Sequence, residues 1–157
     1  MPADLPLLSA ADLLRDAGVR PTGARQKVLG VLLHSQRALT HLDVQDALPD
    51  MDRVTLYRAL DCLTDARLAH KISGDDRVFR YSIGHEQVNG NKHGSSQHQH
   101  GHFKCTRCAK VFCMQDTQQP AALRRQLQIN LESTLGQGFQ SHDIELTIKG
   151  WCPDCSH

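Results

Sequence analysis

The sequence predicts an α+β protein of two domains: an N-terminal domain of short helices that ends in a β-hairpin, and a small C-terminal α/β domain closed by a metal ion. Two observations lead to this prediction. Residues that can cap helices recur through the first half of the chain, and strand-like segments follow them. Two Cys-x-x-Cys pairs lie in the second half, far enough apart for secondary structure to form between them.

Four helices are expected in the first half. Their predicted caps are Ser9 for a helix from Ala10 to Ala17, Thr22 for a second, Thr40 for a third that ends at Pro49, and Asp52 for a fourth from Arg53 to Arg67. The strand-like segments 68–72 and 78–83, separated by turn residues, then predict a hairpin. Helices followed by a hairpin make a winged helix-turn-helix, whose second helix normally enters the major groove of DNA.

The composition changes to Gly, Asn, Ser and Gln between residues 84 and 97, which predicts a linker. We therefore expect a winged-helix domain at 1–83, a linker or hinge at 84–97 and a second domain at 98–157. The elements expected in the second domain are a strand over Phe103 to Met114, a helix from Pro120 to Leu135, and a half-buried strand through the alternating Ile144, Leu146 and Ile148.

The composition also argues against several classes of function. The net charge is +1 with neutral histidines, so any DNA binding must rely on local arginines rather than on a general attraction to polyanions. No apolar run approaches the ~18 residues of a membrane span. The N-terminus lacks the basic and apolar regions of a signal peptide. A cytoplasmic protein without membrane contact is therefore expected.

The two Cys-x-x-Cys pairs are Cys105 with Cys108 and Cys152 with Cys155. Each pair places two thiolates on one tight turn, and two such turns together make the closed tetrahedral site that Zn²⁺ prefers in structural roles. A redox dithiol is the alternative, but it needs a low-pKa thiolate at a helix N-terminus, and neither pair precedes an obvious helix. A disulfide framework is the other alternative, which a reducing compartment disfavours.

Four motifs follow one another along the chain: Arg20-Pro-Thr22 with Arg25, then Val54-Thr-Leu-Tyr-Arg-Ala-Leu60, then a histidine-rich segment before Cys105, then Gly150-Trp-Cys-Pro-Asp-Cys155. This ordered set resembles the ferric uptake regulator family, and the stretch 56–63 with His70-Lys71 is most similar to its zinc uptake regulator branch. The resemblance covers nearly the whole chain. It implies a metal-dependent homodimeric repressor with an N-terminal winged-helix DNA-binding domain and a C-terminal α/β dimerisation domain.

The resemblance also implies a second, regulatory zinc site. Its expected ligands are His70, His85, His100, His102 and Cys113. His100 and His102 lie five and three residues before Cys105, where the family has its sensing histidines, and on a strand they would project from the same face.

Cys113 occupies the position at which relatives carry a glutamate ligand. A thiolate is softer than a carboxylate, and together with imidazoles it favours Zn²⁺ over Fe²⁺. The alternative for Cys113 is a buried small hydrophobe. Relatives often have a further ligand near Ser82, and His85 or His98 offers a replacement for it.

The DNA contacts implied by the resemblance are Arg20, Arg25, Arg53, Thr55, Tyr57 and Arg58. Tyr57 and Arg58 occupy the positions of the recognition helix that touch bases in the family. Arginine is the usual bidentate reader of guanine, and an aromatic ring packs on a thymine methyl group. The remaining four suit phosphates, base edges or the minor groove. The alternative is a solvated charged face with Tyr57 in the core.

These observations together predict a zinc-responsive repressor of zinc-uptake genes that binds a palindromic operator as a homodimer. Each chain would hold one structural and one regulatory zinc, and the regulatory zinc would set the two recognition helices for half-sites about one helical turn apart. An iron- or peroxide-sensing member of the same family is one alternative, and a zinc-buffering protein or zinc enzyme is a more distant one. The sequence has no His-Glu-x-x-His motif, and an enzyme is not expected.

Overall fold

Two compact units make up the chain, Met1–His93 and Gly94–His157. The computed structural model describes residues 9–83, 101–114, 120–141 and 146–156. The division between the units falls inside the range 84–97 that the sequence predicts as a linker, although that range itself lies outside the described residues. Within the described ranges, no helix has the length and apolar character needed to cross a membrane.

Each helix described in the first unit begins directly after the residue predicted to cap it. These helices are α1 (Ala10–Asp16), α2 (Gly23–His34), α3 (His41–Ala47) and α4 (Arg53–Asp65). The side chains of Ser9, Thr22, Thr40 and Asp52 each accept a hydrogen bond from the backbone N–H three residues further on. Each bond satisfies a donor that has no partner within the helix. Helix α4 ends before the predicted Arg67, because Arg67 adopts a left-handed φ of 59°.

A three-stranded antiparallel sheet completes the winged helix-turn-helix. Strand β1 (Leu39–Thr40) pairs with β3 (Phe79–Ile83), which pairs in turn with β2 (Ala69–Ser73). Strands β2 and β3 are the predicted hairpin. Strand β1 was not predicted, since a segment of two residues carries no periodicity. Its pairing ties the start of α3 to the hairpin.

Leucines from three helices form the core of the first unit. Leu14 of α1, Leu29 of α2 and Leu56, Leu60 and Leu63 of α4 are all at most 1% exposed. Burying one such side chain contributes about 1.5–3 kcal/mol. The buried positions of α4 recur every three or four residues, so the opposite face of this helix remains open to solvent.

The second unit is built around a smaller sheet. Its described elements are β4 (His102–Cys105), β5 (Val111–Cys113), α5 (Pro120–Leu135), β6 (Thr147–Gly150) and a 3₁₀ turn (Pro153–Cys155). Strand β4 lies between β5 and β6, antiparallel to the first and parallel to the second. Helix α5 has the predicted bounds. The single strand predicted over Phe103 to Met114 is wrong, because the chain reverses after Cys105 and returns as β5.

Few apolar side chains are buried in the described part of the second unit. Cys105, Val111 and Cys152 are at most 3% exposed. Leu146 and Ile148, predicted on a half-buried strand, are 37% and 46% exposed, and Ile144 lies outside the described residues. A unit with so small a core depends on a metal or on another chain for its stability.

Candidate metal centres and nucleic-acid interface

Four thiols lie close together at one end of the second sheet. The Sγ atoms of Cys105, Cys108, Cys152 and Cys155 all lie within 4.8 Å of one another. The parallel pairing of β4 with β6 places Cys105 opposite Gly150, so the cysteine-containing turns that follow the two strands lie at the same end of the sheet. The Sγ atoms of Cys108 and Cys152 are 3.7 Å apart, close to the ~3.8 Å between two thiolates that share a tetrahedral zinc. The cluster therefore fits a structural zinc site.

Backbone amides prepare one of these thiols for metal binding. The N–H groups of Cys108 and Cys152 donate to the sulfur of Cys105, the second at 3.4 Å, and hold the pKa of Cys105 at about 6. Burial raises the pKa of Cys152, and the hydrogen bond with Cys152 raises the pKa of Cys155 to about 12. A metal must displace these protons, so its affinity rises with pH.

Two cationic side chains cross-link the cysteine turns. Lys110 Nζ lies 2.9 Å from Asp154 Oδ2. The guanidinium of Arg107 lies 3.8 Å from the centre of the Trp151 ring and donates to the carbonyl oxygen of Cys155. The charge of Lys110 also interacts with the sulfur atoms of Cys108 and Cys152. These contacts could not be predicted from the sequence, because the partners lie 44 or more residues apart along the chain.

His102 and Cys113, two of the predicted regulatory ligands, face each other across β4 and β5. The N–H of His102 donates to Leu146 O on the β6 side. The N–H of Met114 donates to Gly101 O, so the hydrogen-bonded pair is the neighbouring one, Gly101 with Met114. His102 and Cys113 therefore form a non-hydrogen-bonded pair, whose Cα atoms lie about 4.5 Å apart with the side chains close together. Both residues are half-buried, so Cys113 is not the fully buried hydrophobe of the alternative interpretation.

His70, a third predicted ligand, lies on β2 with Ser82 of β3 as its cross-strand neighbour. The side chains of His70 and Ser82 thus share one face of the hairpin. His70 is half-buried. His85, His98 and His100 lie outside the described residues.

The predicted DNA contacts lie on α4 and around the start of α2. On α4, Arg53, Tyr57 and Arg58 are exposed and Thr55 is half-buried. Tyr57 is 37% exposed, which argues against the alternative that places it in the core. Before α2, Arg20 is exposed, and Arg25 donates from Nη1 to the Arg20 carbonyl at 2.9 Å.

Cys62 on α4 is half-buried. It lines a shallow groove of about 510 Å³ between the end of α1 and α4, together with Arg58, Asp61 and Asp65. Cys62 lies at the border of the buried face of α4, where a sequence pattern alone does not separate core from rim.

A sequence model described as "Ferric uptake regulator family" matches residues 16–148. The chain belongs to this family. Among curated relatives, the transcriptional regulator FurA of Mycobacterium tuberculosis is 30% identical over 149 residues, which cover 93% of this chain and 89% of FurA. The peroxide-responsive repressor PerR of Staphylococcus aureus is 27% identical over 149 residues, which cover 90% of this chain and 86% of PerR.

Solved structures of family regulators share the fold. The Vibrio cholerae ferric uptake regulator superposes with a TM-score of 0.60 at 22% identity, covering 90% of this chain and 98% of that one. A zinc uptake regulator complexed with zinc and DNA superposes with a TM-score of 0.58 at 23% identity, covering 92% and 89%. Members of the ferric uptake regulator family are metal-responsive transcriptional regulators and not enzymes, and the protein is a regulator of this kind.

Proposed function

We propose that the protein is a zinc-responsive repressor of zinc-uptake genes, with zinc as the co-repressor. The pairing of Cys113 with His102 across β4 and β5 carries this proposal. A thiolate beside an imidazole is a soft donor pair, and in the usual order of divalent metal affinities Zn²⁺ binds such donors more tightly than Fe²⁺ does. An iron sensor would gain from carboxylate ligands, which this strand pair lacks at the position of Cys113.

The proposed regulatory site comprises His70, His85, His100, His102 and Cys113, in addition to one structural zinc on the four clustered cysteines. The ligands come from both units of the chain. Zinc therefore stabilises whichever arrangement brings all the ligands within reach, by its difference in affinity between the arrangements. The thiolates of both sites also favour a cytoplasmic location, where cysteines stay reduced.

The proposed DNA interface comprises Arg20, Arg25, Arg53, Thr55, Tyr57 and Arg58. The outward face of α4 supports this proposal, since the buried leucines of the helix all lie on its opposite side. We propose that the protein binds a palindromic operator as a homodimer. Eight apolar side chains in the described part of the second unit support a dimer because they are exposed in the single chain: Leu123, Leu127, Ile129, Leu135, Phe139, Leu146, Ile148 and Trp151.

An iron- or peroxide-sensing regulator is the second candidate, because curated relatives include a ferric uptake regulation protein and a peroxide-responsive repressor. A DNA-binding titration at buffered free zinc separates the candidates, with Fe²⁺ and Mn²⁺ in parallel and metal content measured on the same samples. The probe is DNA from a zinc-uptake promoter. Zinc alone is expected to produce steep binding, with about two zinc ions per chain. Equal affinity of zinc-loaded and zinc-free protein for this DNA would refute zinc sensing.

The Cys113→Glu variant tests the same proposal through the donor atom. A carboxylate is harder than a thiolate, so this variant is expected to need at least tenfold more free zinc for DNA binding and to respond better to Fe²⁺ or Mn²⁺. Cys62→Ser is the matched control, because Cys62 is half-buried in the first unit and is a ligand of neither proposed metal site. An unchanged zinc response in Cys113→Glu would remove Cys113 from the regulatory site.

A further inference from the structure

We propose that His41 is a positioning residue for DNA recognition, which fixes the ring of Tyr57 before the protein meets DNA. The proposal rests on the proposed function, in which Tyr57 touches a base, and extends it to a residue outside the recognition helix. The ring centroids of His41 and Tyr57 are 5.2 Å apart, with the planes tilted by 33°. This distance lies in the range of favourable aromatic pairs, 4.5–7 Å between centroids.

Tyr57 needs such a contact because it lies at the border of the buried face of α4. The core residues of this helix are Leu56, Ala59, Leu60 and Leu63, whereas Tyr57 is 37% exposed. A side chain that rotates freely loses conformational entropy when DNA fixes it, and this loss weakens binding. A ring held in place beforehand avoids part of the loss.

The backbone at His41 is held in place, because Thr40, the residue before it, is fixed from two sides. Thr40 pairs with Arg80 of β3. Thr40 also forms a capping box with Asp43, whose carboxylate accepts from the Thr40 N–H at 2.8 Å. Arg37 donates to both oxygens of this carboxylate at 3.2 Å. These contacts therefore fix the first turn of α3, from which the side chain of His41 extends.

The ring pair lies on a surface that solvent reaches. Leu42, next to His41, is 55% exposed, and Val54, one helical turn before Tyr57, is 58% exposed. His41 is half-buried. A nucleic acid that touches Tyr57 would thus meet a ring that already contacts His41.

A double-mutant cycle in the full-length, zinc-loaded protein tests the proposal. The wild type first selects duplexes from a randomised DNA library, and the tightest duplex becomes the probe. Affinity and thermal midpoint are measured for wild type, His41→Ala, His41→Phe, Tyr57→Ala and the double variant His41→Ala/Tyr57→Ala. His34→Ala is the matched control, since His34 is an exposed histidine at the end of α2. Each thymine of the probe is also replaced by uracil, which lacks the methyl group.

His41→Ala is expected to weaken binding about 3- to 10-fold, the strength of one aromatic pair, with His41→Phe close to wild type. The loss of affinity caused by His41→Ala is expected to vanish in the Tyr57→Ala background. His41→Ala is also expected to reduce the loss of affinity that uracil causes at one thymine position. A loss that persists without Tyr57, or no loss at all, would overturn the positioning role while leaving DNA binding intact. If the wild type selects no duplex, the DNA-binding function fails, and the role of His41 fails with it.

Discussion

Asp43 shows how one side chain secures the region that we propose contacts DNA. Its carboxylate accepts hydrogen bonds from the N–H and Oγ1 of Thr40 and from the guanidinium of Arg37. Partial burial acts to raise its pKa, but these hydrogen bonds outweigh burial and lower the pKa from the ordinary 3.8 to about 2. The charged form is therefore the one that the folded protein stabilises.

Asp43→Ala is expected to lower the free energy of unfolding by about 2 kcal/mol, through loss of the cap and of the charged hydrogen bonds. Because the folded pKa lies below the unfolded one, the stabilisation is present above pH ~4 and is lost as the pH falls through ~2. Urea unfolding followed by circular dichroism at pH 7 and pH 3 should show a smaller difference from wild type at pH 3. Asp46→Ala, an exposed aspartate on the same helix, is the control; an equal loss in this variant would contradict the assignment.

His41 and Cys113 mark the limits of sequence reasoning at the scale of single residues. The cap at Thr40 places His41 at the first position of α3, but the contact with Tyr57 depends on how α3 and α4 pack. For Cys113 the resemblance gave the position, and the register of β4 with β5 gave its neighbour. Such a neighbour is fixed by strand pairing over the turn, which no local pattern specifies.

Among the helices and strands, local chemistry predicted the starts better than the turns. Four helix starts were predicted because a capping side chain acts within three residues of its own position. The reversal between β4 and β5 was missed because its turn has no Gly or Pro, and Ala109 adopts a left-handed φ of 60° there. A metal-binding turn stabilises a conformation that propensity alone disfavours.

Removal of the structural metal is expected to unfold the sheet of the second unit and leave the first unit folded. The described part of the second unit has few buried apolar residues besides two of the metal ligands, so metal binding contributes much of its folding free energy. Hydrogen exchange read by mass spectrometry should show β4, β5 and β6 losing protection in Cys152→Ser or after chelation. Cys62→Ser should match wild type. Full protection of β4 in Cys152→Ser would contradict this dependence.

Metal binding by the cysteine cluster of the second unit should also depend on pH. Thiols in the cluster must lose their protons to bind the metal, and the pKa of Cys155 lies as high as about 12. Acidification therefore favours proton uptake over metal binding, and metal release should begin well before the helices of the first unit melt. Metal content after dialysis across a pH series reports the release directly.

For the whole molecule, helix α5 carries apolar residues that the single chain does not bury. Leu123, Leu127, Leu131 and Leu135 recur every four residues and form a stripe along the helix. Leu123 and Leu135 are 46% and 57% exposed. An apolar stripe of this length in contact with water favours association with another protein surface. Because most soluble oligomers are homo-oligomers, we expect that surface to belong to a second copy of the chain.

Leu123→Lys is expected to shift the protein from dimer to monomer, because it introduces a charge into the stripe. Sedimentation equilibrium measures the shift, and metal content confirms that the cysteine cluster is retained. Gln36→Lys adds the same charge at an exposed position of the first unit, away from the apolar side chains that support the dimer, and should remain dimeric. A monomer binds the two half-sites of a palindrome independently, so its affinity for the operator should fall by about 10²- to 10⁴-fold. A dimeric Leu123→Lys variant with normal operator affinity would exclude the stripe as the dimer interface and require another surface to join the chains.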